Sequence, residues 1–484
     1  MIMAKEASLL KARELLSGLE KLIDESAELE RRIDEVERDL FAGLMQIGRE
    51  LVVAFVKTQG SGDQGPIYEH DESVLERLGD RDRRYVSIFG ELQVERTVYA
   101  VREGQKQWAP LDAVLGLPSG DFSYVLEDWQ QRLCVREAFG EACSSLADLL
   151  GVRVSVRAAE HMNVQMARYA QSFQLQQPTP PAAEEGAIFV AMFDGKGVPM
   201  RRPLEERVRN GMRRRKGEKA NKKQMACVGS VYSIEPFSRT ADEVLDEVLR
   251  DRRYADRPQP QHKRLQAEMT HVRDGELYNG RSITFIRAAI QLAERNPDET
   301  KPIVCVTDGE PALMTELKKW LPPRTVHILD IMHVLERLWQ VAYCFHPEGS
   351  QEAAEFVTHR FRMLLVGKVG YVIGGFRTLI HKHQLKGPAR RTLEDTIRYY
   401  DARRDSMRYD EYLAAGYPIG SGVVEGACRH LVKDRLERTG MRWTVEGARA
   451  MLHLRAVYIN GDWQPFMNYR IETEQAELYG KNAA

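Results

Sequence analysis

Two short apolar runs end in the same dipeptide, and no other feature of this 484-residue sequence limits the fold as strongly. AIFVAMFDG spans 187–195 and PIVCVTDGE spans 302–310. Such runs read as strands buried on both faces, which belong to a sheet covered by helices. Further apolar runs at 225–234 (MACVGSVYSI) and 325–334 (TVHILDIMHV), with helical patterns at 241–252 and 280–296, predict an α/β core. Ligands in such sheets gather at the carboxyl ends of the strands. Asp194 and Asp308 stand there. A lone Asp-Gly is ordinary turn chemistry, but two after matched strands can face each other. Unpaired, the two carboxylates would repel and raise each other's pKa. A divalent cation removes that penalty, and Mg²⁺ favours one or two carboxylates with water and phosphate oxygens. Two such ions about 3.5–4 Å apart can activate an attacking oxygen and stabilise a leaving one.

The length calls for more than one domain. Residues 1–57 are expected to form a helical region. Leu29, Ile33, Val36, Leu40, Ile47 and Leu51 follow a 3-4 spacing, which fits either a helix packed on its own domain or a coiled-coil seam for self-association. Gly43 and Gly48 weaken the seam. A Gly-rich linker fills 58–66. Within 67–173, residues 85–101 read as a hairpin turning at Phe89-Gly90-Glu91. Residues 144–162 have the outline of a helix-turn-helix, with a turn at Gly151-Val152 and a second helix capped by Ser155. Plain helix packing explains that outline equally well. The Pro-rich stretch 174–186 marks a boundary. The core then divides into a first part (187–310), a largely helical insertion (311–419) and C-terminal helices (420–470).

A 43% apolar fraction supplies a real core, and a net charge of -1 argues against a uniformly basic coat. Six scattered cysteines form no CxxC pair, so neither a structural zinc site nor a disulfide framework is expected. No signal peptide or membrane span is visible, so the chain reads as soluble and cytoplasmic.

A third acid, Glu425, lies in YPIGSGVVEGACRHLVKDRLERTGMRW (417–443). It sits one or two turns into a helix and is flanked by Gly426 and Ala427, whose small size lets a cation or DNA approach. The bland alternative is a solvent-facing helix glutamate. Downstream, Arg429 and Lys433 favour an anionic partner. Residues 201–223 hold eleven Lys or Arg against three Glu, a local net of +8. Arg213, Arg214, Arg215, Lys216, Lys222 and Lys223 there are candidates for phosphate contact, although a charge run is usually a solvated loop. Arg442 and Trp443 could pair a phosphate contact with a base-stacking ring, or Trp443 could belong to the core.

Four segments together carry a resemblance: FVAMFDGKG (189–197), VCVTDGEPAL (304–313), HILDIMHVLERLW (327–339) and GSGVVEGACRHLVKDRLERTGMRW (420–443). Over roughly residues 80 to 470 the chain resembles the DDE transposases of bacterial insertion sequences, of the Kra type and distantly Mutator-like. The resemblance implies an RNase H-like catalytic core and metal-binding catalytic acids at Asp194, Asp308 and Glu425. It also implies two Mg²⁺ or Mn²⁺ ions and an accessory Asp-x-x-His motif at Asp330 and His333, with His333 near the reacting phosphate or the DNA. The plainer alternative for His333 is a packed helix histidine. The expected partners are double-stranded DNA (element terminal repeats and target) and further copies of the chain, as a homodimer or higher homo-oligomer on the nucleoid. Asp330 also ends a strand-like run, but Asp308 matches the second acid better. Two other functions remain: an RNase H-like nuclease or junction resolvase that does not join ends, and a non-enzymatic DNA-binding protein.

Overall fold

The computed structural model describes residues 2–70, 73–101, 107–201, 223–250, 257–438 and 440–480. The chain divides into two compact units, one of residues 1–173 with 462–484 and the other of 174–461. Its class is mixed α/β. Among the described residues no helix is long and apolar enough to cross a membrane.

The first unit opens with two antiparallel helices, α1 (Ile2–Glu28) and α2 (Ile33–Thr58). A Cβ at Gly43 would lie 2.4 Å from a Leu19 methyl, so the small residue sets how closely the helices approach. The six apolar residues spaced for a seam do not share one face. Leu29 falls in the turn between the helices, Val36, Leu40 and Ile47 are half-buried, and Ile33 and Leu51 are exposed. A four-stranded antiparallel sheet follows: β1 (Ile67–His70), β2 (Ser73–Ser87), β3 (Gly90–Ala100) and β4 (Gln107–Trp108). The predicted hairpin is the β2–β3 turn, with Gly90 at φ 110. β2 begins well before Tyr85, in a charged segment with no apolar alternation. Its pairing with β3, not its own pattern, makes it a strand.

Short helix α3 (Pro110–Val114) leads to α4 (Tyr124–Cys134), α5 (Phe139–Leu150), α6 (Val156–Ala167) and α7 (Ala170–Leu175). Left-handed Gly151 (φ 70) ends α5. The Ser155 hydroxyl accepts the Ala158 amide at 3.1 Å and starts α6. These helices bury Leu126, Cys134, Leu146, Val154 and Met162 together. Ser155→Ala is expected to cost about 1 kcal/mol, read as a lowered melting temperature; an unchanged one would mean the cap adds nothing. The C-terminal helix Trp463–Tyr479 belongs to this unit, whereas sequence alone ran the second domain's helices to 470. Polar contacts hold it there: Trp463 Nε1 donates to Asp128 at 2.6 Å, and buried Arg470 pairs with Glu127 and Glu474.

The second unit is built on five strands in the order β11-β10-β5-β6-β7. β5 (Ile188–Pro199), β6 (Lys223–Ile234) and β7 (Gln261–Met269) form an antiparallel meander. β10 (Ile303–Thr307) runs parallel to β5, and β11 (Val326–Leu329) runs parallel to β10. A capped helix, α8 (Ala241–Leu249), follows β6, and the small hairpin β8 (His271–Arg273) and β9 (Glu276–Tyr278) follows β7.

One face of the sheet presents Phe189, Ala191, Phe193, Ile303 and Cys305. They pack against α9 (Gly280–Arg295) and α10 (Pro311–Trp320) through Phe285, Ala288, Leu292, Leu313 and Leu317. The alternate residues, Val190, Met192, Val304 and Val306, are equally buried and face the other way. The helical stretch begins after β11 with α11 (Ile331–Ala342), α12 (Gln351–Leu365), α13 (Val369–Lys382), α14 (Gly387–Asp401) and α15 (Tyr409–Ala414). The expected insertion at 311–419 therefore includes α10 and a strand of the core sheet. The chain then returns over β5 and β6 as one helical run: α16 (Gly422–Ala427), a π-helical turn (Cys428–Lys433) and α17 (Asp434–Leu436). Finally α18 (Val445–Ile459), capped by Thr444, packs on β7.

Candidate active site

The strand registers put three acids in one row. Val306 of β10 is paired with Met192 of β5, and Thr307 is paired with Leu329 of β11. Continuing both ladders past their last pairs sets Asp194, Asp308 and Asp330 side by side on three adjacent parallel strands. Asp308 and Asp330 follow the last residues of β10 and β11, whereas β5 runs on to Pro199 in its pairing with β6, so Asp194 lies within its strand and not at its end as the sequence suggested. Neighbouring strands lie about 4.8 Å apart. The ladder reaches Asp330, whose amide donates to the Thr307 carbonyl at 2.8 Å. By alternation the row continues the face opposite α9 and α10.

Each acid has a different setting. Asp194 is half-buried; its Oδ1 accepts the Gly195 amide at 2.6 Å, and the Cys428 thiol of the π turn bonds to its carboxylate. Burial, and then the Asp194 charge, push that thiol far up, so Cys428 stays a neutral donor. Asp308 is half-buried and its Oδ1 accepts the Glu310 amide at 2.7 Å. The turn after it is clamped from α14. The Tyr399 hydroxyl donates to the Asp308 carbonyl at 2.7 Å, and Arg403 donates to the Gly309 carbonyl at 2.6 and 2.9 Å. Gly309 is left-handed (φ +73), and a Cβ there would lie 2.4 Å from Arg403 Nε. Glycine is required at this position.

Asp330 is fully buried and caps α11. Its Oδ1 accepts the amides of Ser421 (3.0 Å) and Met332 (3.3 Å), and its Oδ2 lies 2.5 Å from His333 Nδ1. Burial alone would raise its carboxyl; His333 and Ser421 overcome that and hold it below the usual range. The bond to Asp330 pushes His333 up to about 9 against partial desolvation, with the Asp308 and Glu425 charges adding to the effect. His333 is therefore an imidazolium at neutral pH, a cationic donor set among carboxylates.

Glu425 is exposed on α16, and its Oε1 accepts the Ser421 hydroxyl at 2.7 Å. Ser421 thus joins two acids: its amide binds Asp330 and its hydroxyl holds Glu425. Among the described residues, Asp330, His333 and Glu425 form the one group of three whose ligand atoms all lie within 4.8 Å of one another. Asp194 and Asp308 are not in it. The structure therefore gathers Glu425 with Asp330 and His333, beside the row that holds Asp194 and Asp308.

Sequence reasoning missed Ser421, Tyr399 and Arg403. The first lies between two glycines, Gly420 and Gly422, with nothing local to mark it, and the other two carry no sequence signal. Of the residues proposed for DNA, Arg213, Arg214, Arg215, Lys216 and Lys222 lie outside the described residues. Lys223 is half-exposed and ion-paired with Glu437 at 2.5 Å. Arg429, 3.7 Å from Asp434, is exposed, as are Lys433 and Arg442. Trp443 takes the core alternative: it is buried, its indole N–H donates to the Leu436 carbonyl at 3.0 Å, and Arg435 lies over its ring. A buried ring already covered by Arg435 is not free to stack a base. No protein-family model matches the chain and no curated protein is found similar to it, so its function has to be argued from this geometry.

Proposed function

We propose that the chain is a metal-dependent DNA transposase with an RNase H-like core, similar to the Kra-type insertion-sequence enzymes. The observation that carries the reading is the placement of the acids. Asp194 and Asp308 share a row on adjacent parallel strands, and Glu425 rides on a helix laid across the same sheet. The strand order, an antiparallel meander extended by two parallel strands on the side of its first member, supports the RNase H-like reading.

The donor set suits hard divalent cations. Asp194, Asp308 and Glu425 offer only oxygens, and Mg²⁺ or Mn²⁺ prefers these over nitrogen or sulfur. Bound there, two such ions would supply Lewis acidity to the phosphate and a nucleophilic oxygen at neutral pH. The chain's own residues do the rest. Ser421 aims Glu425 at the strand ends. Tyr399 and Arg403 fix the Asp308 turn. Protonated His333, held by Asp330, donates to a phosphate oxygen as negative charge grows there. No Ser or Tyr nucleophile is assigned.

A strand-transfer assay tests this. Purified protein meets a labelled duplex with a free 3′-OH and a supercoiled plasmid, with Mg²⁺ or Mn²⁺ or with chelator. Joined products that vanish with chelator are expected. Nicking without joining would replace the reading with a nuclease on the same core. Duplex binding with no cation-dependent chemistry would leave a DNA-binding protein.

A further inference from the structure

The tip of the α13–α14 pair carries a charge imbalance that the candidate site does not use. Residues 377–391 (RTLIHKHQLKGPARR) contain Arg377, Lys382, Lys386, Arg390 and Arg391, two histidines and no Asp or Glu. They border a groove of about 730 Å³ lined by Arg377, His381, Lys386, Arg390 and Arg398, among others. The two acids in its wall are already engaged: Glu394 with Arg390 at 2.8 Å and Asp401 with Arg404 at 2.7 Å. Arg398 pairs with Asp395 outside the lining. Among the described residues, no acid lies within ion-pair distance of Arg377 or Lys386. A concave surface on which Arg377 and Lys386 stand exposed with no acid at ion-pair distance is a place for an anion.

The same helix joins this groove to the row of acids. α14 starts just after Lys386, and near its end Tyr399 bonds to the Asp308 carbonyl. Thirteen residues at 1.5 Å each separate the two points by about 20 Å. That span equals about six base pairs at 3.4 Å per step. The groove runs along the helix from Arg377 and Lys386 to Arg398 and Asp401, and we propose that its far end, at Arg377 and Lys386, is a second phosphate-backbone site, which grips duplex DNA about six base pairs from the phosphate held beside Asp308. It would fix the direction in which the duplex leaves the site, without reading sequence. The proposal rests on the transposase reading, because both need duplex DNA as ligand.

The test compares the full-length protein with the Arg377→Ala/Lys386→Ala double variant on a fluorescent 30-base-pair duplex across a salt series. Each phosphate contact contributes about 0.9 to the slope of log affinity against log salt. The double variant is expected to lose roughly 2 units of slope and to bind roughly tenfold more weakly at ~0.1 M salt. The charge-keeping Arg377→Lys/Lys386→Arg variant is expected to restore both. Ethylation interference on a 3′-OH donor duplex should lose its signal about six base pairs from the end. An unchanged slope in a folded double variant, with wild-type cleavage intact, overturns the groove alone. A slope change on single-stranded RNA but not on duplex overturns it in favour of RNA. A wild-type protein that binds no duplex overturns both the groove and the transposase reading.

Discussion

Asp194→Asn is expected to lower cation-dependent DNA cleavage by roughly three orders of magnitude or more while leaving the protein as stable as the parent or slightly more so. The two halves of that result have one cause. Asp194 shares a row with Asp308 and Asp330, and like charges in a row destabilise one another when no cation lies between them. Asparagine keeps the shape and can still accept the Gly195 amide, which now binds at 2.6 Å. It removes one of the repelling charges, and with it the strongest ligand for a hard cation. Glu425→Gln should show the same loss, because its hydrogen bond from Ser421 survives and its charge does not. Cleavage rates in Mg²⁺ and Mn²⁺, set beside melting curves without cation, check both halves. Cleavage within tenfold of wild type would sink the assignment of Asp194. A large drop in melting temperature would make its role structural.

The second large effect lies away from the chemistry. Glu268 of β7 is fully buried, yet it is an ion. It accepts from Arg449 of α18 at 2.7 and 3.2 Å, lies 3.1 Å from His453 Nε2, and has Arg287 of α9 at 3.6 Å. Two helices that pack on β7, α9 and α18, are thus pinned to one carboxylate. Glu268→Gln should destabilise the second unit by about 3 kcal/mol, because it leaves the partly buried Arg449 and Arg287 without a counter-charge. Denaturant unfolding measures this; a loss under about 1 kcal/mol would show that water or rearrangement satisfies the cations.

The pH dependence has a definite sign. Burial alone would raise the Glu268 carboxyl, but His453 and Arg449 hold it well below the usual carboxylate range. Its stabilisation is therefore fully present above the unfolded-state pKa of about 4.3 and is lost as pH falls below that value toward the folded one. Wild type should lose stability in that acid window, and the Gln variant should lose less.

Much of the local structure was legible in the residues themselves. Thr240 with Glu243, Ser155, Thr444 and Asp330 start their helices by accepting amides close by in sequence, and the apolar runs at 187–195 and 302–310 became central strands. These signals are local, with donor and acceptor within a turn of each other or apolar residues in one unbroken run. The charged segment of β2 offered no such signal and became a strand only by pairing with β3. The N-terminal seam failed for a related reason. A 3-4 spacing cannot reveal that the chain turns back at residues 29–32.

By itself the sequence determined which groups are available for chemistry and where most of them stand on their elements: Asp308 at a strand end, Asp330 and His333 one turn apart, Glu425 near a helix start. Asp194, read as a strand end, lies within β5, which pairing with β6 carries on to Pro199. Only the tertiary structure decided how they meet. Strand register, set by ladders between segments more than a hundred residues apart, aligned Asp194 with Asp308. Ser421, ninety-one residues beyond Asp330, tied that buried acid to Glu425. Burial turned Trp443 from a candidate base-stacking ring into a core residue and Glu268 from an unremarked glutamate into the hub of a charge network. The physical reason is common to these cases. Propensity and capping energies act within a turn or two along the chain. Register, desolvation and charge pairing depend on neighbours that sequence distance does not reveal.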